Sequence, residues 1–386
     1  MSIVRTNCDS SMMPTSLGGE ISLIEENASY HRTLSGHALK DTMTSRERVY
    51  SAYSLSEPDR IPVFSMVTYA SGAPLGYGVR EYCHDVKKML RGQVELQKKF
   101  GYDVVYSFID VWVFAETVGV VLDFPDNSTP KPVESPVKTL EDVEKLESPD
   151  PRRDGRLPII IKGIELLREE VGRGIPVYTG GQGPFSLAAE IRGLETFLKD
   201  LYLNRELALK LIKFCTEYMI EMGRAEAEAG ADIVHLGDSY AGPSLVSPKF
   251  FEEYAMPYDK VVFEHWKKQG VLTSLHICGK SSPIWEYMIE TGADNIEIDQ
   301  TVDLAEAKNR LGDRICIAGN LDPSAAMYHG TPDQVEKAAR GCIQAAGAGG
   351  GFALSPGCVV MPGFPPNNLH ALVRAAREYG RYTLPH

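Results

Sequence analysis

A histidine and a cysteine stand two residues apart in "TSLHICGK" (residues 273–280), as His276 and Cys278. In an extended chain side chains alternate with period two, so both project to the same side and can chelate one ion. A later stretch, "SPGCVV", offers a second cysteine, Cys358. Two thiolates and an imidazole suit zinc, a borderline-soft ion that favours sulfur and nitrogen donors. A structural zinc site closes with four protein ligands, whereas three leave one position open to a substrate. The spacing H-x-C is short and common, and isolated cysteines are more often inert core residues. The chemistry therefore depends on whether the fold brings the two stretches together.

Short apolar, β-branched runs recur along the chain: "RIPVFSM" (60–66), "YDVVYSF" (102–108), "IPVYTGG" (175–181), "DIVHLG" (232–237), "VLTSLHI" (271–277), "NIEID" (295–299), "RICIAG" (314–319) and "GFALSPG" (351–357). Amphipathic helical patterns separate them, many ending in glycine, the usual left-handed stop signal. Continuous apolar strands alternating with helices predict a parallel sheet covered on both faces. Eight such units predict an α/β fold, a (β/α)8 TIM barrel, with insertions near 109–170. A doubly wound open sheet is the structural alternative, but the glycine-rich phosphate turn it needs after its first strand is absent. A barrel gathers all strand C-termini on one face, so His276, Cys278 and Cys358 can converge there. The same rim should carry Gln182 and Glu190, then Asp238, Ser239 and Tyr240, then Asp299 and Gln300, Asn320 and Asp322, and Ser355.

The chain has 386 residues, is 43% hydrophobic and 24% charged, and carries a formal net charge of −12. That balance supplies ample core and argues against nucleic-acid binding, which needs a broad basic footprint. Seven scattered cysteines, an odd and sparse set, are no disulfide framework and predict free thiols or metal ligands. Residues 1–42, rich in Ser, Thr, Asn and Met, read as an N-terminal extension, and the barrel is expected over 43–386. No stretch approaches the roughly 18 apolar residues of a membrane span, and the first forty residues hold no leader-like apolar run. A cytoplasmic location follows as the expectation.

Several motifs then carry a family resemblance: "EPDRIPV", "GGQGPFSLAAEIRG", "GDSYAGPSLVSPKFFEEYAMPY", "LHICGKSSPIWEYMIETGADNIEIDQTVDLAEAKNRLGDRICIAGNLDP" and "LSPGCVVMPGFPPNNLHALV". Together they resemble the uroporphyrinogen decarboxylase superfamily, whose fold is a (β/α)8 barrel, over about residues 43–382. Within it, H-x-C followed by Cys358 resembles the zinc-containing, corrinoid-linked methyltransferases. Decarboxylases of the superfamily carry an arginine-rich segment after the first strand. Here "SMVTYASGAPLGYG" (65–78) has none before Arg80, so the carboxylates of a tetrapyrrole would lack bidentate partners.

The resemblance implies a zinc-dependent methyltransferase. It would move a methyl group between a small methylated donor or thiol acceptor and the cobalt of a corrinoid on a carrier protein. A metal-free, decarboxylase-like lyase is the alternative, and a homodimer is a further expectation. The implied zinc ligands are His276, Cys278 and Cys358. Asp238 is a candidate acid or orienting group, with a helix cap or turn as its plain structural reading. Glu190 is a candidate fourth, displaceable ligand. Gln182, Tyr240 and Asn320 are candidates for the substrate pocket, with bracing of a loop as the alternative for Asn320 and Asp322.

Overall fold

A computed structural model describes residues 40–382, so nearly all of the expected extension lies outside the described residues. Among the described residues nine strands follow in chain order: β1 (Val105–Ser107), β2 (Val121–Asp123), β3 (Lys131–Glu134), β4 (Val177–Gln182), β5 (Ile233–Gly237), β6 (Leu272–Ile277), β7 (Asn295–Ile298), β8 (Cys316–Leu321) and β9 (Phe352–Pro356). Strands β1 and β4 to β9 form one sheet in the order β1-β4-β5-β6-β7-β8-β9, every neighbouring pair parallel. Strands β2 and β3 form a separate antiparallel hairpin within the expected insertion.

The remaining place in the ring belongs to the first apolar run. Phe64 N–H donates to Leu354 O, Leu354 N–H to Pro62 O, and Asp103 N–H to Val63 O, each at 2.9 Å. The segment thus joins β9 to the chain entering β1 and closes the barrel. It pairs through a single parallel bridge, Val63 with Leu354, rather than a full ladder. Pro62 has no N–H to give, and Met66 turns out of the strand with φ of 51°.

A buried ionic lock holds this closure. The Asp103 carboxylate accepts from Arg60 Nη1 at 2.7 Å, Arg48 Nη1 at 2.7 Å, Val63 N at 2.8 Å and Ser45 Oγ at 2.8 Å. Arg48 also grips Asp59 through Nε at 2.7 Å and Nη2 at 2.9 Å, the bidentate geometry that a planar guanidinium favours. The motif "EPDRIPV" therefore does structural work through Asp59 and Arg60. Helix Ser45–Tyr53, opened by a capping box from Thr44 to Glu47, carries Arg48 into this lock.

Two apolar cores result. One lies between sheet and helices, where the 25-residue helix Arg205–Ala229 is a main contributor. The other packs Tyr53, Phe64, Tyr106, Tyr178, Ile233, Cys316, Ala318 and Ala353 together from helix Ser45–Tyr53 and the inward faces of the strands. The pattern "FFEEYAMPYDKVVFEHWKKQG" predicts one helix, but the structure breaks it into Pro248–Tyr254 and Met256–Lys267. Pro257 cannot donate into the preceding turn, which accounts for the break.

The lock makes a stability prediction. Asp103→Ala removes a carboxylate shared by two buried guanidiniums and should cost about 3–5 kcal/mol, as breaking buried ion pairs does. Burial opposes the charge on Asp103, but Arg60 and Arg48 outweigh it and hold its carboxyl below the usual range. Its contribution is therefore present above the ordinary carboxylate range and lost as pH falls through the folded value. Urea unfolding of wild type and variant should converge at low pH; a gap of under 1 kcal/mol at pH 7 would dismiss the lock.

Candidate metal centre

His276 is the last but one residue of β6 and faces inward, with Cys278 one step beyond the strand on the same side, as period two requires. Cys358 sits in the turn after β9. Gly357 N–H donates to Leu321 O at 2.7 Å and Val360 N–H to Met66 O at 3.0 Å, so the turn is tied on both sides. A Cβ at Gly357 would lie 2.5 Å from Gln300 N, so only glycine allows this approach. The ligand atoms of His276, Cys278 and Cys358 all lie within 4.8 Å of one another.

Within this triangle His276 Nε2 is 2.9 Å from Cys278 Sγ, and the two sulfurs are 3.8 Å apart. Two thiolates bound tetrahedrally to one zinc at about 2.3 Å each stand about 3.8 Å apart, so the sulfur pair already has the span of a chelate. The 2.9 Å contact is the hydrogen bond of the metal-free pair. Without metal, the Cys358 thiol and the charge on His276 outweigh burial and bring Cys278 down to about 4. Burial works against a charged His276, but the Cys278 thiolate raises it to about 9. The Cys358 thiol, hydrogen-bonded to that thiolate and buried, moves well above the usual thiol range. His276 Nδ1 meets the backbone oxygen of Glu297 at 3.2 Å, which turns Nε2 toward the sulfurs.

The other residues singled out from sequence fall in different places. Gln182, at the end of β4, donates from Nε2 to Glu190 Oε1 at 2.5 Å. Glu190 is 3% exposed, its other oxygen has no partner among the described residues, and burial keeps its carboxyl well above the usual range. It is not one of the three residues whose ligand atoms cluster. Tyr240 is half-buried near both groups, since burial and then the charges of Glu190 and Cys278 push its phenol up to about 12. Asp238 Oδ1 accepts from Ser186 N at 2.7 Å, at the start of helix Pro184–Arg192. Asn320 Nδ2 donates to Asp299 O at 3.1 Å and Val302 O at 2.9 Å, bracing that loop. Asp322 caps the turn Pro323–Tyr328, Asp299 accepts from Thr301 N at 2.8 Å, and Ser355 bonds its neighbour Pro356 O at 2.7 Å.

Sequence reasoning passed over the polar group inside the barrel. Glu297 of β7 accepts from Tyr178 OH and from Ser274 Oγ at 2.9 Å, with His235 Nδ1 at 3.4 Å. Burial opposes the charge of Glu297, yet His235 leads the groups that bring it down to about 2. Alternation along "DIVHLG" and "NIEID" is the signal that would have turned both residues inward.

The comparisons with known proteins agree with this architecture. The family model described as Uroporphyrinogen decarboxylase (URO-D) matches residues 44–379. The chain belongs to that family. Among its relatives is the Methylcobamide:CoM methyltransferase MtbA of Methanosarcina acetivorans, 32% identical over 340 residues, 87% of this chain and 98% of that protein. The Methylated-thiol–coenzyme M methyltransferase of Methanosarcina mazei is 31% identical over 282 residues, 72% of this chain and 73% of that one. A solved structure titled "methyltransferase from Methanosarcina mazei" superposes with a TM-score of 0.80 at 25% identity, covering 87% of this chain and 99% of its own. Within the URO-D family, this chain therefore aligns along most of its length with methyltransferases.

A carboxyl pair behind β5 makes a second prediction. Asp259 is fully buried, both its oxygens lack hydrogen-bond partners among the described residues, and burial followed by the charge of Asp238 keeps its carboxyl well above the usual range. A raised folded value makes the protein lose stability as pH climbs past the ordinary carboxylate range. Asp259→Asn should therefore raise the melting temperature at pH 8 by more than at pH 4. An equal shift at both values would show that the carboxyl of Asp259 ionises as readily in the folded chain as in the unfolded one, and would dismiss the raised value.

Proposed function

We propose that this URO-D family member is a zinc-dependent methyltransferase. It moves a methyl group between a small methylated donor or thiol acceptor and the cobalt of a corrinoid carried by a partner protein. The observation that carries the reading is the inward cluster of His276, Cys278 and Cys358 at the barrel mouth, with the sulfur–sulfur span of a zinc chelate. The names of the aligned relatives support the corrinoid and the thiol. No helix among the described residues is long and apolar enough to cross a membrane.

Bound zinc would hold a substrate sulfur as thiolate, or polarise an oxygen donor, at the position the three residues leave open. The residues of the chain do the rest. Cys278 and Cys358 supply the negative charge that retains the ion, and Cys278 is already disposed to ionise. His276 offers Nε2 because its Nδ1 is engaged with the Glu297 carbonyl. Glu190, with an unpartnered oxygen next to Gln182, serves as the displaceable fourth group or as a neutral acid. Tyr240 lies near enough to Glu190 and Cys278 for both charges to act on its phenol. Asp238 acts on the site indirectly, since its N–H donates to His276 O at 3.0 Å while its carboxylate holds helix Pro184–Arg192. In-line transfer to or from cobalt then needs positioning and charge control rather than covalent chemistry on the protein.

Purified without chelators, the protein should carry about one equivalent of zinc, and Cys278→Ala/Cys358→Ala should carry none. The loaded enzyme should demethylate methylcobalamin in the presence of a small thiol, followed through the cobalt spectrum, and the double variant should not. A metal-free protein that decarboxylates a tetrapyrrole would favour the lyase instead.

A further inference from the structure

We propose that His235 and Gln182 form a recognition subsite beside the triad of His276, Cys278 and Cys358, one that takes the uncharged or cationic polar end of a small substrate. The proposal rests on the methyl-transfer reading and names the substrate class for that site. His235 lies on β5 with its ring centroid 6.3 Å from that of His276 and the two planes 28° apart. Its Nδ1 is anchored at 3.4 Å from Glu297 Oε1 and 3.3 Å from Tyr178 OH. An ionised carboxylate only accepts, so Nδ1 carries the proton and Nε2 is the outward end. Among the described residues Nε2 has no hydrogen-bond partner, and the side chain is 16% exposed.

Glycine at position 237 makes that end available. A Cβ there would stand 3.3 Å from His235 Nε2 and 3.5 Å from Gln182 Oε1, so both atoms border the same space. Gly237 is in register with Gln182 on one side and with His276 on the other, so that space adjoins the metal ligands. Gly180 serves the same end lower down, since a Cβ there would lie 2.5 Å from His235 O and 2.6 Å from its Cβ. Gln182 commits its amide N–H to Glu190, which leaves its carbonyl oxygen, an acceptor, facing the space.

Charge decides what fits. The Glu297 carboxyl stands behind the imidazole of His235, so the pair brings no bare cation to the space. Among the described residues, Lys280 is the one lysine or arginine on the strand-end turns, and it is exposed. Arg156, farther along the insertion, is committed to Asp110 at 2.5 Å and Glu116 at 2.7 Å. A sulfonate or carboxylate entering beside the triad would be desolvated with no lysine or arginine to pair with, since the charge of a zinc ion held there would already be balanced by the thiolates of Cys278 and Cys358, and that is costly. A hydroxyl or an ammonium would instead meet the Gln182 carbonyl and the anchored imidazole.

Cobalt(II) in place of zinc reports a bound thiolate through sulfur-to-metal charge-transfer absorption, without requiring turnover. Titration with 2-mercaptoethanol, cysteamine, 2-mercaptoethanesulfonate and 3-mercaptopropionate, compared per thiolate, should favour the first two by about tenfold. His235→Phe should weaken those two by about tenfold with cobalt content unchanged. Gln182→Lys should move the preference toward the anionic pair. Equal or tighter binding of the anionic thiols by the wild type, or unchanged affinities in both variants, would overturn the subsite. Methyl transfer from methylcobalamin, run alongside, separates the two readings: if none of the four thiols is methylated, the methyltransferase reading falls while the titration still decides the subsite. A protein that takes up no cobalt overturns both.

Discussion

Closure of the barrel through the Asp103 carboxylate is the constraint on which the rest depends. That one side chain receives bonds from Arg60, Arg48, Ser45 and the N–H of Val63, so it ties the first segment, the helix beneath it and the chain entering β1 to one point. Charges this buried persist only when paired and fully hydrogen-bonded. With the ring closed, β9 and the first segment become neighbours, and the turn holding Cys358 can be tied to Met66. An open sheet would leave Cys358 on an edge strand, away from β6. A salt bridge at one end of the barrel thus decides whether the thiols at the other end can share an ion.

The barrel interior shows how such a site is supported. Interiors of this fold are commonly filled with branched aliphatic side chains. Here Glu297, His235, Tyr178 and Ser274 form a connected polar group, with aromatic and small residues around it. The Glu297 residue acts twice: its backbone carbonyl orients His276, and its carboxylate anchors His235. In a low-dielectric surrounding such bonds are strong, and their geometry is correspondingly well defined. Two glycines, Gly180 and Gly237, leave the imidazole of His235 the room it needs.

Much of this was legible in the residues. Each of the eight apolar runs occupies a place in the ring, because strands buried on both faces must be apolar along their length. The pairing of His276 with Cys278 followed from period two alone. Other features were not legible. For Asp238 the residues left both an acid and a helix cap open, and they could not name the helix its carboxylate meets, Pro184–Arg192, which it reaches because alternation turns it outward once Gly237 faces in. "EPDRIPV" looked like a family mark without a task, since the partner of Arg60, Asp103, lies in another element. Glu297 and His235 stayed hidden because a single polar residue in an apolar run reads as an imperfection until its partners are known.

By itself the sequence determined the element types, the face of β6 that carries a chelating pair, and a donor set suited to a thiophilic metal. These depend on local periodicity and side-chain chemistry, and the folded chain departs from them at residues 60–66, which pair through one bridge, and at the helix broken before Pro257. Tertiary structure alone decided that Cys358 stands 3.8 Å from Cys278, that Glu190 and Gln182 bond to each other, and that His235 presents one nitrogen beside the triad. These are relations between side chains far apart in the chain. Their distances are set by barrel closure and strand register, which emerge only when all eight segments are in place.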